Sequence, residues 1–101
     1  MKLTKVKGIT HDLAHYLDFQ IWRGYFRDTK KDFIIDAVRS KSSFSRMCVA
    51  FYKERLPKNF DFSRIKNIIV EVHRTMTTLK LTVTVKVDNI EFSYKGGSSW
   101  V

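Results

Sequence analysis

The sharpest pattern in the chain is an alternation near its C-terminal end. Leu79, Leu81, Val83, Val85 and Val87 alternate with Lys80, Thr82, Thr84, Lys86 and Asp88. A period of two, rich in β-branched residues, predicts a half-buried strand. Asp88-Asn89 suits a tight two-residue turn, since both residues tolerate positive φ. Ile90, Phe92 and Tyr94 continue the apolar face. Val87 then lies opposite Ile90, Val85 opposite Phe92 and Val83 opposite Tyr94, while Lys86 meets Glu91 on the other face. A preceding strand, about residues 66–74, carries Ile68, Val70 and Val72 on one face. With Arg74 opposite Thr77, Val72 meets Leu79, Val70 meets Leu81 and Glu71 meets Lys80. Opposite charges pair twice in a register chosen on hydrophobicity alone. The reading is a three-stranded antiparallel meander.

Upstream of Pro57 the pattern turns helical. Thr10 suits the cap of a helix running to about Trp22, with Leu13, Leu17 and Ile21 on one arc and Gly24 at its end. Thr29 and Asp32 have the spacing of a capping box before a second helix, with Phe33, Ile34, Ala37 and Val38 as its apolar face. The serine cluster from Ser40 to Ser45 interrupts it. A third helix is predicted from Phe44 to Arg55, with Phe44, Met47, Cys48, Phe51 and Tyr52 inward. The runs from Phe33 to Val38 and from Met47 to Phe51 also read as short strands, because periodicity decides poorly in short apolar segments. Lys2 to Lys7 suits an edge strand. Helices covering one face of the meander make a two-layer α+β domain spanning residues 1–101.

Composition supports a folded core: 44% of the residues are hydrophobic and 14% aromatic, too many for a disordered chain. The single cysteine, Cys48, lies among Met47, Val49, Ala50 and Phe51, and reads as a buried small hydrophobe. Without a disulfide framework, a reducing, cytoplasmic compartment is expected. The opening residues lack the apolar core of a signal peptide. No stretch approaches the ~18 apolar residues of a membrane span, so no membrane partner is expected.

Charge then points to a partner. The chain has 19 Lys+Arg against 10 Asp+Glu, a net +9. The meander's outer face is close to charge-balanced, so the excess belongs to the helical half. There Arg39, Lys41, Arg46, Lys53, Arg55 and Lys58 stand against one acid, Glu54. Such a run is the footprint of an anionic partner, with nucleic acid first and an acidic protein second. Arg46 and Lys53 share one side of the third helix. Ser40, Ser42 and Ser43 add donors for phosphate, and Tyr52 offers a ring for a base. Helices two and three followed by a hairpin would also suit a winged helix, with the third helix in the major groove.

Catalytic signals are sparse. His11 and His15 stand at i and i+4 with Asp18 on the same side, a spacing able to hold a metal, yet no third ligand is evident. His73 beside Arg74 has the chemistry of a general acid or base in RNA cleavage, although a lone strand histidine is usually just exposed. The four glycines have no phosphate-loop spacing, and no serine sits in a nucleophile elbow. No catalytic, metal or cofactor residue is assigned. Phe19, Trp22, Tyr25 and Phe26, with Tyr16 nearby, exceed what one core face needs. They read as a homodimer or protein interface, or as a helix buried on both sides. Trp100 reads equally as folded back or as a partner contact.

The expected order of a strand, two or three helices and three antiparallel strands resembles that of the RelE-type messenger-RNA-cleaving toxins. The resemblance covers element order and basicity, and no catalytic residue of that family has a match here. It implies a small ribonuclease as a third reading. The first is a small, basic, non-enzymatic module that contacts nucleic-acid phosphates through its helical half. The second is an interaction or inhibitory module with an acidic partner.

Overall fold

The computed structural model describes residues 3–22 and 32–99. Lys2, Gly24, Tyr25, Phe26, Thr29 and Trp100 lie outside the described residues, as does the side chain of Trp22. The first helix, α1 (Thr4–Trp22), is followed by strand β1 (Phe33–Asp36) and helix α2 (Ser43–Arg55). A short 3-10 turn (Phe62–Arg64) leads into β2 (Ile65–Arg74), β3 (Thr78–Val87) and β4 (Ile90–Ser99). The strands form one antiparallel sheet in the order β1-β2-β3-β4. The helices cover one face, giving the expected α+β two-layer architecture with four strands in place of three.

In α1, Val6, Ile9, Leu13, Leu17 and Ile21 are buried. Leu13, Leu17 and Ile21 form the expected arc, but the helix begins six residues earlier than Thr10. The edge strand expected for Lys2 to Lys7 is absent from the described residues: Thr4 to Lys7 belong to α1. Val6 and Ile9 simply continue the 3.6-residue stripe back by a turn. Thr10 is no cap. Its buried hydroxyl donates to the Val6 carbonyl at 2.9 Å.

The second helix is also corrected. Phe33–Asp36 is a strand paired with β2, Phe33 opposite Val72 and Ile35 opposite Val70. Tertiary pairing decides this short apolar run, because the free side of β2 accepts it and its alternate residues Phe33 and Ile35 reach the core. Asp36 ends the strand. Its carboxylate accepts from the N–H groups of Val38 (3.1 Å) and Ile68 (3.2 Å) and from Asn67 Nδ2 (2.7 Å). With a strand there, the helix pair of a winged helix is not formed. Among the described residues the strand β1 falls between the two helices, which also departs from the order on which the toxin resemblance rests.

The third predicted helix forms as α2. Ser42 caps it by accepting from the Ser45 N–H at 3.2 Å, and Pro57 follows the terminal Leu56. Phe44, Cys48, Phe51 and Tyr52 are buried, while Met47 is half-buried at the margin of the core.

The β3–β4 register is as read: Val87–Ile90, Val85–Phe92, Val83–Tyr94 and Lys86–Glu91. Asp88 alone of the turn pair takes positive φ (54°). The β2–β3 register differs by two residues. Val72 faces Leu81, Val70 faces Val83, and Lys80 meets His73 in place of Glu71. The faces are unchanged, because a shift of two preserves side-chain alternation. The loop is longer than a two-residue turn. Thr75 donates its N–H to the Thr78 carbonyl (2.9 Å) and accepts from the Thr77 and Thr78 N–H groups at its hydroxyl (3.3 and 3.0 Å). On the sheet's open face Lys80, Lys86 and Lys95 stand among Asp36, Glu71 and Glu91, so that face carries both signs of charge.

Candidate nucleic-acid interface

Arg46, Val49, Ala50 and Lys53 recur at helical spacing along the outer stripe of α2. The turn that leaves β1 runs beside them. Asp36 holds that turn in place: its carbonyl accepts from the Arg39 and Ser40 N–H groups at 3.1 and 2.9 Å. The Ala37 N–H donates to the Ile68 carbonyl at 2.8 Å, pinning the turn to β2. Ser40 Oγ accepts weakly from the Ser42 N–H (3.4 Å), tying the turn to the cap of α2. Between turn and helix lies an open groove of about 270 Å³, lined by Ala37, Val38, Ser40, Lys41, Arg46, Val49, Ala50 and Lys53. Its floor is apolar and its rim cationic. Among the described residues, Lys41, Arg46 and Lys53 form no ion pair within the chain.

The other three predicted cations go elsewhere. Arg39 is held by Asp36 at 2.6 Å and donates to the Lys66 carbonyl at 3.1 Å. Arg55 lies on the far flank of α2, its guanidinium 3.5 Å from the Phe51 ring centroid, and donates to the Phe51 carbonyl. Lys58 belongs to a smaller recess of about 200 Å³ shared with Lys53, Leu56, Pro57, Phe60 and Phe62. Lys53 joins the two hollows, its Nζ 5.0 Å from the Phe62 ring centroid.

Tyr52 is corrected as a stacking platform. It is fully buried, and its hydroxyl lies 2.7 Å from that of Thr10. Burial pushes the phenol well above its ordinary range. The rings beside the cations are instead the half-buried Phe60 and Phe62, which lie outside the predicted set. Their signal was the pair of aromatics two apart, just beyond Pro57 and Lys58. Cys48 is buried as expected, and burial raises its thiol to about 12, so it is protonated at neutral pH.

The histidines stand apart from the groove. His11 and His15 approach at 3.3 Å between their Nε2 atoms, and the His11 ring meets Tyr94 edge-on. Among the described residues no group of three His, Cys, Asp or Glu is placed to hold a metal ion. His73 sits on the open sheet face between Asp32 (3.3 Å) and Glu71 (3.4 Å). Hydrogen bonds that its ring N–H groups donate to these carboxylates, Asp32 foremost, hold its pKa above the ordinary value. Arg74 points to the other face, where it reaches the Ile21 carbonyl, so the two do not form one cationic site. Compared with protein-family models, curated proteins and solved structures, the chain matches none.

Proposed function

We propose that this protein is a small basic binding module that contacts nucleic-acid phosphates through the groove between α2 and the turn after β1. One observation carries the reading. Lys41, Arg46 and Lys53, separate in the chain, converge on one groove and, among the described residues, have no acidic partner in an ion pair. Cations that do not neutralise the protein's own carboxylates are free to displace counterions from a phosphate backbone. Ser40 stands on the same rim, its hydroxyl donating to Ser42 Oγ over a long 3.4 Å that a phosphate oxygen would better. Among the described residues, the groove lining holds no histidine, thiol or carboxylate, which favours binding over cutting.

The test is a salt titration of binding to single- and double-stranded DNA and RNA by fluorescence anisotropy. The expected result is affinity that persists near ~150 mM salt with a slope of roughly three phosphate contacts. Loss of all binding at that salt would overturn the reading.

The apolar floor of Ala37, Val38, Val49 and Ala50 favours a second reading, an acidic amphipathic segment of another protein. That partner would bind with a shallower salt dependence, because part of its affinity would come from apolar burial.

A further inference from the structure

The two edges of the sheet are unequal. β1 offers four residues, while β4 offers ten, Ile90–Ser99. A long exposed edge presents a row of unpaired N–H and C=O groups, which proteins usually cover or blunt. Among the described residues, nothing pairs with the outer side of β4.

The direction of those groups follows from the hairpin. A two-residue hairpin is closed by a hydrogen-bonded pair, here Val87 and Ile90. Pairs alternate from that point. Ile90, Phe92 and Tyr94 therefore bond to β3, and Glu91, Ser93 and Lys95 turn their N–H and C=O groups outward.

Around Ser93 this edge is complementary to itself. We propose that β4 pairs antiparallel with β4 of a second copy across a two-fold axis at Ser93, joining two sheets into one. Glu91 then lies opposite Lys95 of the second copy, and Lys95 opposite its Glu91, with Ser93 against Ser93 between them. Both charge pairs fall on the open face. On the helix-covered face, Phe92 meets Tyr94 of the second copy, again twice. Ile90, 47% exposed in the single chain, lies opposite Gly96, over which the Ala14 carbonyl of α1 and Leu81 pack closely. The hydrogen-bond phase agrees, because Glu91, Ser93 and Lys95 are the residues whose backbone groups face outward.

Two observations favour a second copy over an unrelated strand. Among the described residues neither Glu91 nor Lys95 forms an ion pair within the chain. A lone edge lysine blunts a strand against pairing. Here Glu91 balances Lys95 at equal distance from Ser93, so the same lysine favours one register. Moving the axis to Phe92 or Tyr94 sets Glu91 opposite Ser93 or Gly97 and loses both charge pairs.

The experiment is sedimentation velocity over a range of concentrations up to the high micromolar, with circular dichroism to confirm folding. The wild type is expected to sediment at twice the 11.9 kDa chain mass. Glu91→Lys and Lys95→Glu each create like-charge contacts on both sides of the axis, and each should weaken the dimer by about tenfold or more. The double exchange restores opposite charges and should recover affinity to within about threefold of wild type. Ser93→Pro removes only an outward N–H, so the β3 bonds survive and the dimer is lost. If Ser93→Pro fails to fold, the charge exchange decides. A wild type that stays monomeric overturns the proposal. So does a dimer indifferent to Glu91→Lys, or one that the double exchange does not restore.

Discussion

The hydroxyl of Tyr52 lies 2.7 Å from that of Thr10, with both side chains fully buried where α2 meets α1. Thr10 gives its only proton to the Val6 carbonyl. Tyr52 must therefore be the donor to Thr10, and the two ends of the bond are unequal. Without the Tyr52 hydroxyl, Thr10 keeps Val6 as partner. Without the Thr10 hydroxyl, Tyr52 has a buried donor and no acceptor from Thr10. Thr10→Val is expected to cost about 1–3 kcal/mol and Tyr52→Phe about 0.5–1.5 kcal/mol. The double variant should cost less than the sum of the two. Urea denaturation of the three variants checks this, and equal costs for the two single changes would reverse the assignment of the donor.

Groove binding separates residues that net charge alone would treat alike. Arg46→Glu and Arg55→Glu each change the total by the same amount. Arg46 lines the groove, whereas Arg55 is held over Phe51 on the other flank. Arg46→Glu with Lys53→Glu should weaken nucleic-acid binding at least ~10-fold and flatten the salt slope, while Arg55→Glu changes it by less than ~3-fold. Equal losses from Arg46→Glu and Arg55→Glu in anisotropy titrations would assign the binding to generic attraction.

Asp36 couples the end of β1 to acid stability. Partial burial opposes its ionisation, but the bonds from Asn67, the Ile68 and Val38 backbones and Arg39 outweigh it, holding the carboxyl below its usual range. A depressed native pKa gives stability that is complete above the ordinary aspartate value of about 3.9 and is lost as pH falls through the native value. Urea midpoints of the wild type should therefore drop more steeply than those of Asp36→Asn below about pH 4. At neutral pH, Asp36→Ala should cost about 1–3 kcal/mol through the backbone N–H groups it leaves unmet.

His73 works in the opposite direction. Its raised pKa, from Asp32 first and then Glu71, gives stability that is present below the ordinary histidine value near ~6.5. That contribution is lost as pH rises through the native value. Thermal unfolding should show a larger fall in Tm for wild type than for His73→Gln between about pH 6 and about pH 9. A parallel fall in both proteins would remove His73 from the account.

The legibility of the fold varied with how locally each feature was encoded. The β3–β4 pairing was readable to the residue, because a two-residue turn ties register to adjacent chemistry. The β2–β3 pairing was readable by face but not by register. Thr75 through Thr78 close a longer loop with their own hydroxyls, and alternation is blind to a shift of two. At the candidate site, Arg46 and Lys53 were legible as partners because both lie on one helix. Their meeting with Lys41, and the separation of Arg39 and Arg55, depended on contacts made across the chain.

From sequence alone follow the α+β class, the helix ending at Arg55, the inward faces of β2, β3 and β4, and a net charge of +9. Each rests on periodicity, capping or composition, which act over a few residues. Only the tertiary structure decided that Phe33–Asp36 is a strand, that Thr10 lies inside a helix, and that of the two readings of Tyr52, inward or stacking, the inward one holds. Those outcomes depend on what packs or pairs against a segment from far along the chain. For a four-residue apolar run, that partner outweighs local preference, because an open strand edge offers both hydrogen bonds and burial.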